Sequence, residues 1–180
     1  MLEHPFADDG AMAADTILAT DRLIVRRFVI ADTAPFHVYR NLAPVAEHQG
    51  WETPYSLDEA HALVADMTNN DPFGLGEWTQ LAIAYAGSPT ELIGDIAVRM
   101  ESDEPTAEIG FSLHPDHWGL GLVTEALDAI VEHLFAKLAL ARVVAFTAPE
   151  NRRAQRTLER VGLRYIATDG NDLVYYRRND

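Results

Sequence analysis

The stretch that most constrains this chain runs from Ala107 to Leu138. Ala107 to Leu113 (AEIGFSL) reads as a strand. A loop with two glycines follows, His114-Pro115-Asp116-His117-Trp118-Gly119-Leu120-Gly121, and Leu122 to Leu138 begins at once as a helix. In that helix Val123, Ala126, Leu127, Ile130, Val131, Leu134, Phe135 and Leu138 recur at the spacing of one buried face, with Glu125, Asp128, Glu132 and Lys137 off it. A strand, a glycine turn and a helix in that order can hold an anion on backbone alone. Glycine permits positive φ and close approach of a ligand. The first helical N–H groups lack intrahelical partners and carry the positive end of the helix dipole. Without a ligand, the same residues make a tight strand-to-helix turn.

Such a site matters more in an acidic chain. Lys and Arg number 14 against 28 Asp and Glu, for a net charge of −14 over 180 residues. That surface repels nucleic acid and anionic lipid, so neither is an expected partner, and it favours cationic ones. The length suits one domain. No apolar run is long enough to span a membrane. Cysteine is absent, which removes disulfides, thiolate ligands and a cysteine nucleophile and leaves the cytoplasm as the default compartment. His114 and His117 sit in a loop without an HExxH helix, so no metal site is expected.

Residues 1–17 read as an acidic, Ala-rich tail and 18–180 as the folded domain. Thr20 to Ile30 opens with a short strand through Leu23 and Val25, and Asp32 is placed to cap a helix through Tyr39 and Asn41. Leu57 to Met67 is a second helix with Ser56 and Glu59 as a capping box. Trp78–Ala86 and Glu91–Met100 flank Gly87-Ser88-Pro89-Thr90 as a hairpin, with Trp78 assigned to the core. Arg142 to Ala148 is continuously apolar, as in a strand buried on both faces. Asn151 to Val161 is a helix ended by Gly162. Leu163–Thr168 and Leu173–Arg177 close the chain around Asp169-Gly170-Asn171-Asp172. The expected fold is α/β: one domain with a mixed, mostly antiparallel sheet of six to seven strands and helices on both faces.

Two other phosphate binders use a glycine turn. A P-loop needs Gly-Lys-Ser/Thr, which is absent. A dinucleotide fold needs a third glycine where Thr124 stands, and its parallel strands come first, although Glu150 could imitate its ribose-binding acid.

Trp118-Gly119-Leu120-Gly121-Leu122-Val123-Thr124-Glu125-Ala126 resembles the acetyl-coenzyme A motif of the GCN5-related N-acetyltransferase (GNAT) superfamily. It is similar in particular to the branch of the ribosomal-protein alanine N-acetyltransferases (RimJ/RimL-like). A second family motif is matched by Asn151, Ala154, Leu158, Glu159, Gly162 and Leu163, and Thr20-Asp21-Arg22-Leu23 with Arg26 resembles the branch's first strand. The resemblance implies that acetyl-coenzyme A is the co-substrate and that a primary amine, on a small molecule or a protein N-terminus, attacks the thioester in a ternary complex. It implies that Phe111, Ser112 and Leu113 offer main-chain groups to the pantetheine arm. Trp118, Gly119, Leu120, Gly121, Leu122, Val123 and Thr124 would cradle the pyrophosphate. Asn151 would contact the pantetheine end, and Arg152, Arg153 and Arg156 the nucleotide phosphates. Dimers are common in the family, so a homodimer is among the expected states.

Glu108 is the candidate general base. Period-2 alternation puts it on one face with Gly110 and Ser112, opposite Ile109, Phe111 and Leu113. A backbone N–H near Ser112 or Leu113 would stabilise the oxyanion, which makes Ser112 a second catalytic candidate. Trp51, Tyr55 and Phe73 are candidates for the acceptor pocket. The chain departs from the pattern in carrying Leu158 and Ala154 where relatives have Tyr or Ser near the leaving thiolate, and Tyr175 or Tyr176 is the only evident substitute. Those departures keep open a coenzyme A-binding module without turnover, and a nicotinamide-dinucleotide binder stands further off.

Overall fold

The computed structural model describes residues 16–179. Residues 1–15, most of the expected tail, lie outside them. One eight-stranded sheet organises the chain, in the order β1-β2-β3-β4-β5-β6-β8-β7. Strands β1 (Thr16–Ala19), β2 (Leu23–Arg26), β3 (Trp78–Tyr85), β4 (Ser88–Met100) and β5 (Thr106–Leu113) form an antiparallel meander. β6 (Arg142–Thr147) joins β5 in parallel, and β8 (Asp172–Arg178) and β7 (Arg164–Asp169) complete the sheet antiparallel. The strand beyond the expected number is β1, so the tail boundary at residue 18 falls inside an edge strand.

Among the described residues five α-helices cover the sheet. On one face lie α1 (Thr33–Arg40), the short α2 (Ala43–Ala46) and α3 (Leu57–Asn69). Phe28, Phe36, Tyr39, Val45, Tyr55, Ala60 and Val64 pack there against Ala82 and Leu92. On the other face, α4 (Leu122–Leu138) buries Ala126, Leu127, Ile130, Val131 and Leu134 against Leu81, Ile83, Ile96, Val98 and Ile109. α5 (Arg152–Arg160) adds Leu158 to the same core. The bounds of α4 match its sequence periodicity, and the Ser56–Glu59 capping box forms at the start of α3.

Four local expectations are corrected. Asp32 accepts no capping hydrogen bond from α1, because its carboxylate is held by Arg26 at 2.7 and 2.9 Å in a fully buried pair. The β3–β4 turn is tighter than expected: Tyr85 already pairs with Ser88, so Ser88, Pro89 and Thr90 belong to β4. Trp78 is 39% exposed at the start of β3, beneath the Arg99 guanidinium at 5.1 Å. β6 is buried on one face only, with Val143 and Ala145 in the core and Phe146 exposed where it lines a cleft.

Candidate active site

β5 and β6 pair only through Thr106–Glu108 against Arg142–Val144. Beyond those pairs the strands part. A cleft of about 680 Å³ fills the wedge, with Gly110, Phe111, Ser112 and Leu113 on one wall and Ala145, Phe146 and Thr147 on the other. Main-chain groups of a strand edge need partners when buried. Here one of them, the Phe111 carbonyl, accepts a hydrogen bond from Gln49 Nε2 at 3.3 Å. Gln49 follows α2, and Pro44 and Val45 of α2 with Glu47 and His48 just after it also line the cleft.

The glycine turn closes another side. Gly119 and Gly121 take φ of +77° and +75°, the left-handed region that favours glycine. The first intrahelical bond of α4 runs from Glu125 N–H to the Gly121 carbonyl at 3.1 Å. The N–H groups of Leu122, Val123 and Thr124 therefore precede the helical ladder, and all three residues line the cleft. Trp118 fastens the turn to β5 by donating from Nε1 to the Leu113 carbonyl at 2.8 Å. Gly119, Gly121 and Trp118 line the cleft with them; Leu120 does not, and is 54% exposed.

A clamp braces this turn from outside. Glu125 accepts from Thr20 Oγ1 at 2.5 Å, from the Arg22 N–H at 3.1 Å and from Arg22 Nε at 2.6 Å. Burial pushes the Glu125 carboxyl up, but these hydrogen bonds outweigh it and hold the group below its ordinary value. A depressed folded-state pKa contributes stability above the unfolded value, and that stability is lost as pH falls through the folded one. Glu125→Gln should therefore lower the melting temperature at neutral pH, with the difference closing as pH drops through and below the ordinary carboxylate range. Thermal unfolding of both proteins across that range checks it, and a difference independent of pH would contradict it.

α5 supplies positive charge in an acidic chain. Asn151 is its N-cap, accepting from the Ala154 N–H at 3.1 Å. Arg152, Arg153, Arg156 and Arg160 all line the cleft, as does Asn151. Arg153 lies 3.8 Å over the Trp118 ring, bridging α5 to the glycine turn. Arg160 extends the expected set of arginines. Its signal was present in the four-residue spacing from Arg152 through Arg156, which places the three on one helical face.

The remaining candidates are distributed differently. Ser112 lines the cleft and is 6% exposed. Glu108 stands at the closed end of the wedge, opposite Arg99 across the β4–β5 ladder and 2.5 Å from its guanidinium. It shares a sheet face with Gly110 and Ser112 but does not line the cleft. Burial raises its carboxyl above the ordinary range, and the Arg99 charge opposes that shift. Trp51 and Tyr55 pack with Phe36 around the buried Arg40, whose guanidinium lies 3.9, 5.1 and 4.3 Å from their rings. Phe73 is not with them. It stacks on His133 of α4 at 5.4 Å, on the opposite face of the sheet. Among the described residues no group of three or more His, Cys, Asp or Glu could hold a metal, and no helix is long and apolar enough to cross a membrane.

Residues 22–164 match the acetyltransferase (GNAT) domain family, a span that includes the glycine turn, both walls of the wedge and α5. The chain belongs to that family. The uncharacterized N-acetyltransferase YoaA of Bacillus subtilis is 27% identical over 150 residues, covering 81% of each chain. The acetyltransferase of Agrobacterium tumefaciens superposes with a TM-score of 0.72 at 29% identity, covering 90% of this chain and 94% of its own. Mycobacterium smegmatis RimJ, solved with CoA-disulfide, has the same fold with a TM-score of 0.68 at 20% identity, covering 87% of this chain and 81% of its own.

As a GNAT member the protein is an acetyltransferase, and acetyl-coenzyme A is its co-substrate. In this acetyltransferase Leu158 and Ala154 line the cleft, whereas Tyr175 and Tyr176 do not. The β8 tyrosines thus stand outside the cleft. Gln49 and its neighbours on the segment after α2 carry no motif, and only the fold reveals them as part of the wall.

Proposed function

We propose that this acetyltransferase moves an acetyl group from acetyl-coenzyme A to a primary amine, on a small molecule or a protein N-terminus, by direct attack in a ternary complex. The observation that carries the proposal is the wedge between β5 and β6, which joins strand edges that no longer pair with each other, a helix N-terminus and a row of arginines in one cleft. That set matches the cofactor's chemistry in order. Phe111, Ser112 and Leu113 offer strand-edge groups to the amides of pantetheine. The turn from Trp118 to Thr124 offers N–H groups to the pyrophosphate. Arg153, Arg156 and Arg160 offer charge to the nucleotide phosphates.

Acetyl-coenzyme A supplies an acyl group activated as a thioester. The chain must orient it, remove a proton from an ammonium, and stabilise charge on the carbonyl oxygen. Glu108 takes the proton, directly or through water, from the sheet face it shares with Gly110 and Ser112. A main-chain N–H at Ser112 or Leu113 faces the developing oxyanion. As the tetrahedral adduct collapses, the carbon–sulfur bond breaks and the thiolate, a good leaving group, takes up the second proton that the nitrogen releases, directly or through water; no side chain of the cleft is assigned to that step.

Thermal shift tests the cofactor assignment. Acetyl-coenzyme A at ~100 times its dissociation constant should stabilise the protein by ~2.7 kcal/mol, which moves the melting temperature by several degrees. NAD and ATP at the same concentration should move it far less. An equal response to all three would reduce the cleft to a general anion site. Thiol release on adding a panel of amines then tests the transfer itself.

A further inference from the structure

We propose that Arg22, on the β1–β2 turn, is a positioning residue for the phosphate-binding turn: it locks one peptide plane so that its N–H faces the cleft. The proposal rests on assigning the cleft to coenzyme A.

The peptide concerned joins Leu120 to Gly121. Arg22 Nη1 donates to the Leu120 carbonyl at 3.0 Å, on the outer side of the turn. The only cis peptide among the described residues is Thr53–Pro54, so this one is trans. In a trans peptide the C=O and N–H point in opposite directions. Holding the Leu120 carbonyl against Arg22 therefore aims the Gly121 N–H the other way. Gly121 lines the cleft, and among the described residues its N–H has no hydrogen-bond acceptor.

Such a lock is needed because the turn is otherwise free to flip. Gly119 and Gly121, at φ of +77° and +75°, bracket Leu120. Glycine populates positive and negative φ about equally. A flipped plane would present a carbonyl oxygen to an anionic ligand in place of an N–H. Arg22 resists this because it is itself fixed. Its Nε donates to Glu125 Oε2 at 2.6 Å, and its Nη2 lies 2.6 Å from the same oxygen. Its backbone N–H donates to Glu125 Oε1, which also accepts from Thr20. Glu125 sits in the first turn of α4, so the clamp references the peptide plane to the helix whose N-terminus completes the site. The guanidinium is a rigid fork that serves Glu125 and Leu120 together, and a lysine ammonium has no such fork.

The test compares ligands with and without the pyrophosphate. Coenzyme A and pantetheine are titrated calorimetrically into the wild type, Arg22→Lys and Arg22→Ala. Inorganic pyrophosphate is added to each ¹⁵N-labelled protein while the Gly121 amide resonance is followed. Loss of one charge-assisted hydrogen bond predicts roughly tenfold weaker coenzyme A binding in both variants. Pantetheine binding stays at the wild-type level, and the Gly121 amide no longer responds to pyrophosphate. Arg22→Lys keeps a cation beside Glu125 and carries the test if the alanine variant does not fold. Equal losses for coenzyme A and pantetheine would reduce Arg22 to a structural residue and overturn the proposal. So would wild-type coenzyme A affinity in both variants. If the wild type itself fails to bind coenzyme A, the cleft assignment falls first.

Discussion

Glu108→Gln should lower kcat by roughly 10²–10⁴-fold, the usual contribution of a positioned general base, and leave the dissociation constant for acetyl-coenzyme A unchanged. The substitution keeps the size and polarity of the side chain and removes only its basicity. Cofactor affinity stays because Glu108 lies outside the cleft, at the end of the wedge where β5 and β6 are still paired. The pH profile separates a base from a structural partner of Arg99. Burial raises the Glu108 carboxyl, with the Arg99 charge opposing. The base acts only when ionised, so wild-type kcat/KM should rise with pH through a midpoint above the ordinary carboxylate range. The variant should lack that limb. Steady-state thiol release across the acid range measures both. Retained activity with an unchanged profile would leave the Arg99–Glu108 pair as a cross-strand contact, and the amine's proton would have to go elsewhere.

Asp32→Ala is expected to destabilise the fold by about 3–5 kcal/mol, the cost typical of breaking a buried ion pair from one side. Arg26 and Asp32 are 0% and 1% exposed. Asp32 accepts both guanidinium contacts and the Val29 N–H at 2.9 Å. Arg26 in turn donates to the Pro89 carbonyl at 2.8 Å and the Arg27 carbonyl at 2.9 Å. Truncating Asp32 strands a guanidinium where water does not reach, and also frees the chain between β2 and α1. Urea unfolding should show a lower midpoint with an unchanged slope. Replacing both partners with apolar residues should recover much of the loss, because no charge is then left buried. A single-variant loss below about 1 kcal/mol, the scale of a surface pair, would mean that solvent reaches Arg26.

The same pair illustrates where sequence reasoning reached and where it stopped. Ser56 and Glu59 were legible as a cap because both partners lie within four residues and compete with nothing. Asp32 carried the same local signal, but Arg26, fixed by β2, supplies a stronger partner than a helix N–H. The α4 helix was legible because its apolar repeat has the period of the structure it forms. Trp78 was misplaced because a strand's alternation says which residues share a face, not which part of that face a helix covers. The glycine turn and α5 were legible as motifs whose chemistry is local. The wedge was not, since the parting of β5 from β6 is a property of two segments far apart in sequence. Gln49 and Phe73 fall outside for the same reason: one reaches the cleft and the other leaves it through tertiary contacts alone.

The few residue pairs between β5 and β6 have a consequence for the chain as a cooperative unit. The meander and the β6–β8 half each carry longer ladders, yet among the described residues strand pairing joins them only at Thr106–Glu108, with the Pro105 carbonyl accepting from Ala141 and Arg142 beside it. Amide exchange in the two halves need not share one opening event, because local units open with their own free energies. A ligand lying along the wedge and bonding to both edges adds rungs where the sheet lacks them. It makes the two halves open together, so that occupancy is written into the breathing of strands that never touch the reacting atoms.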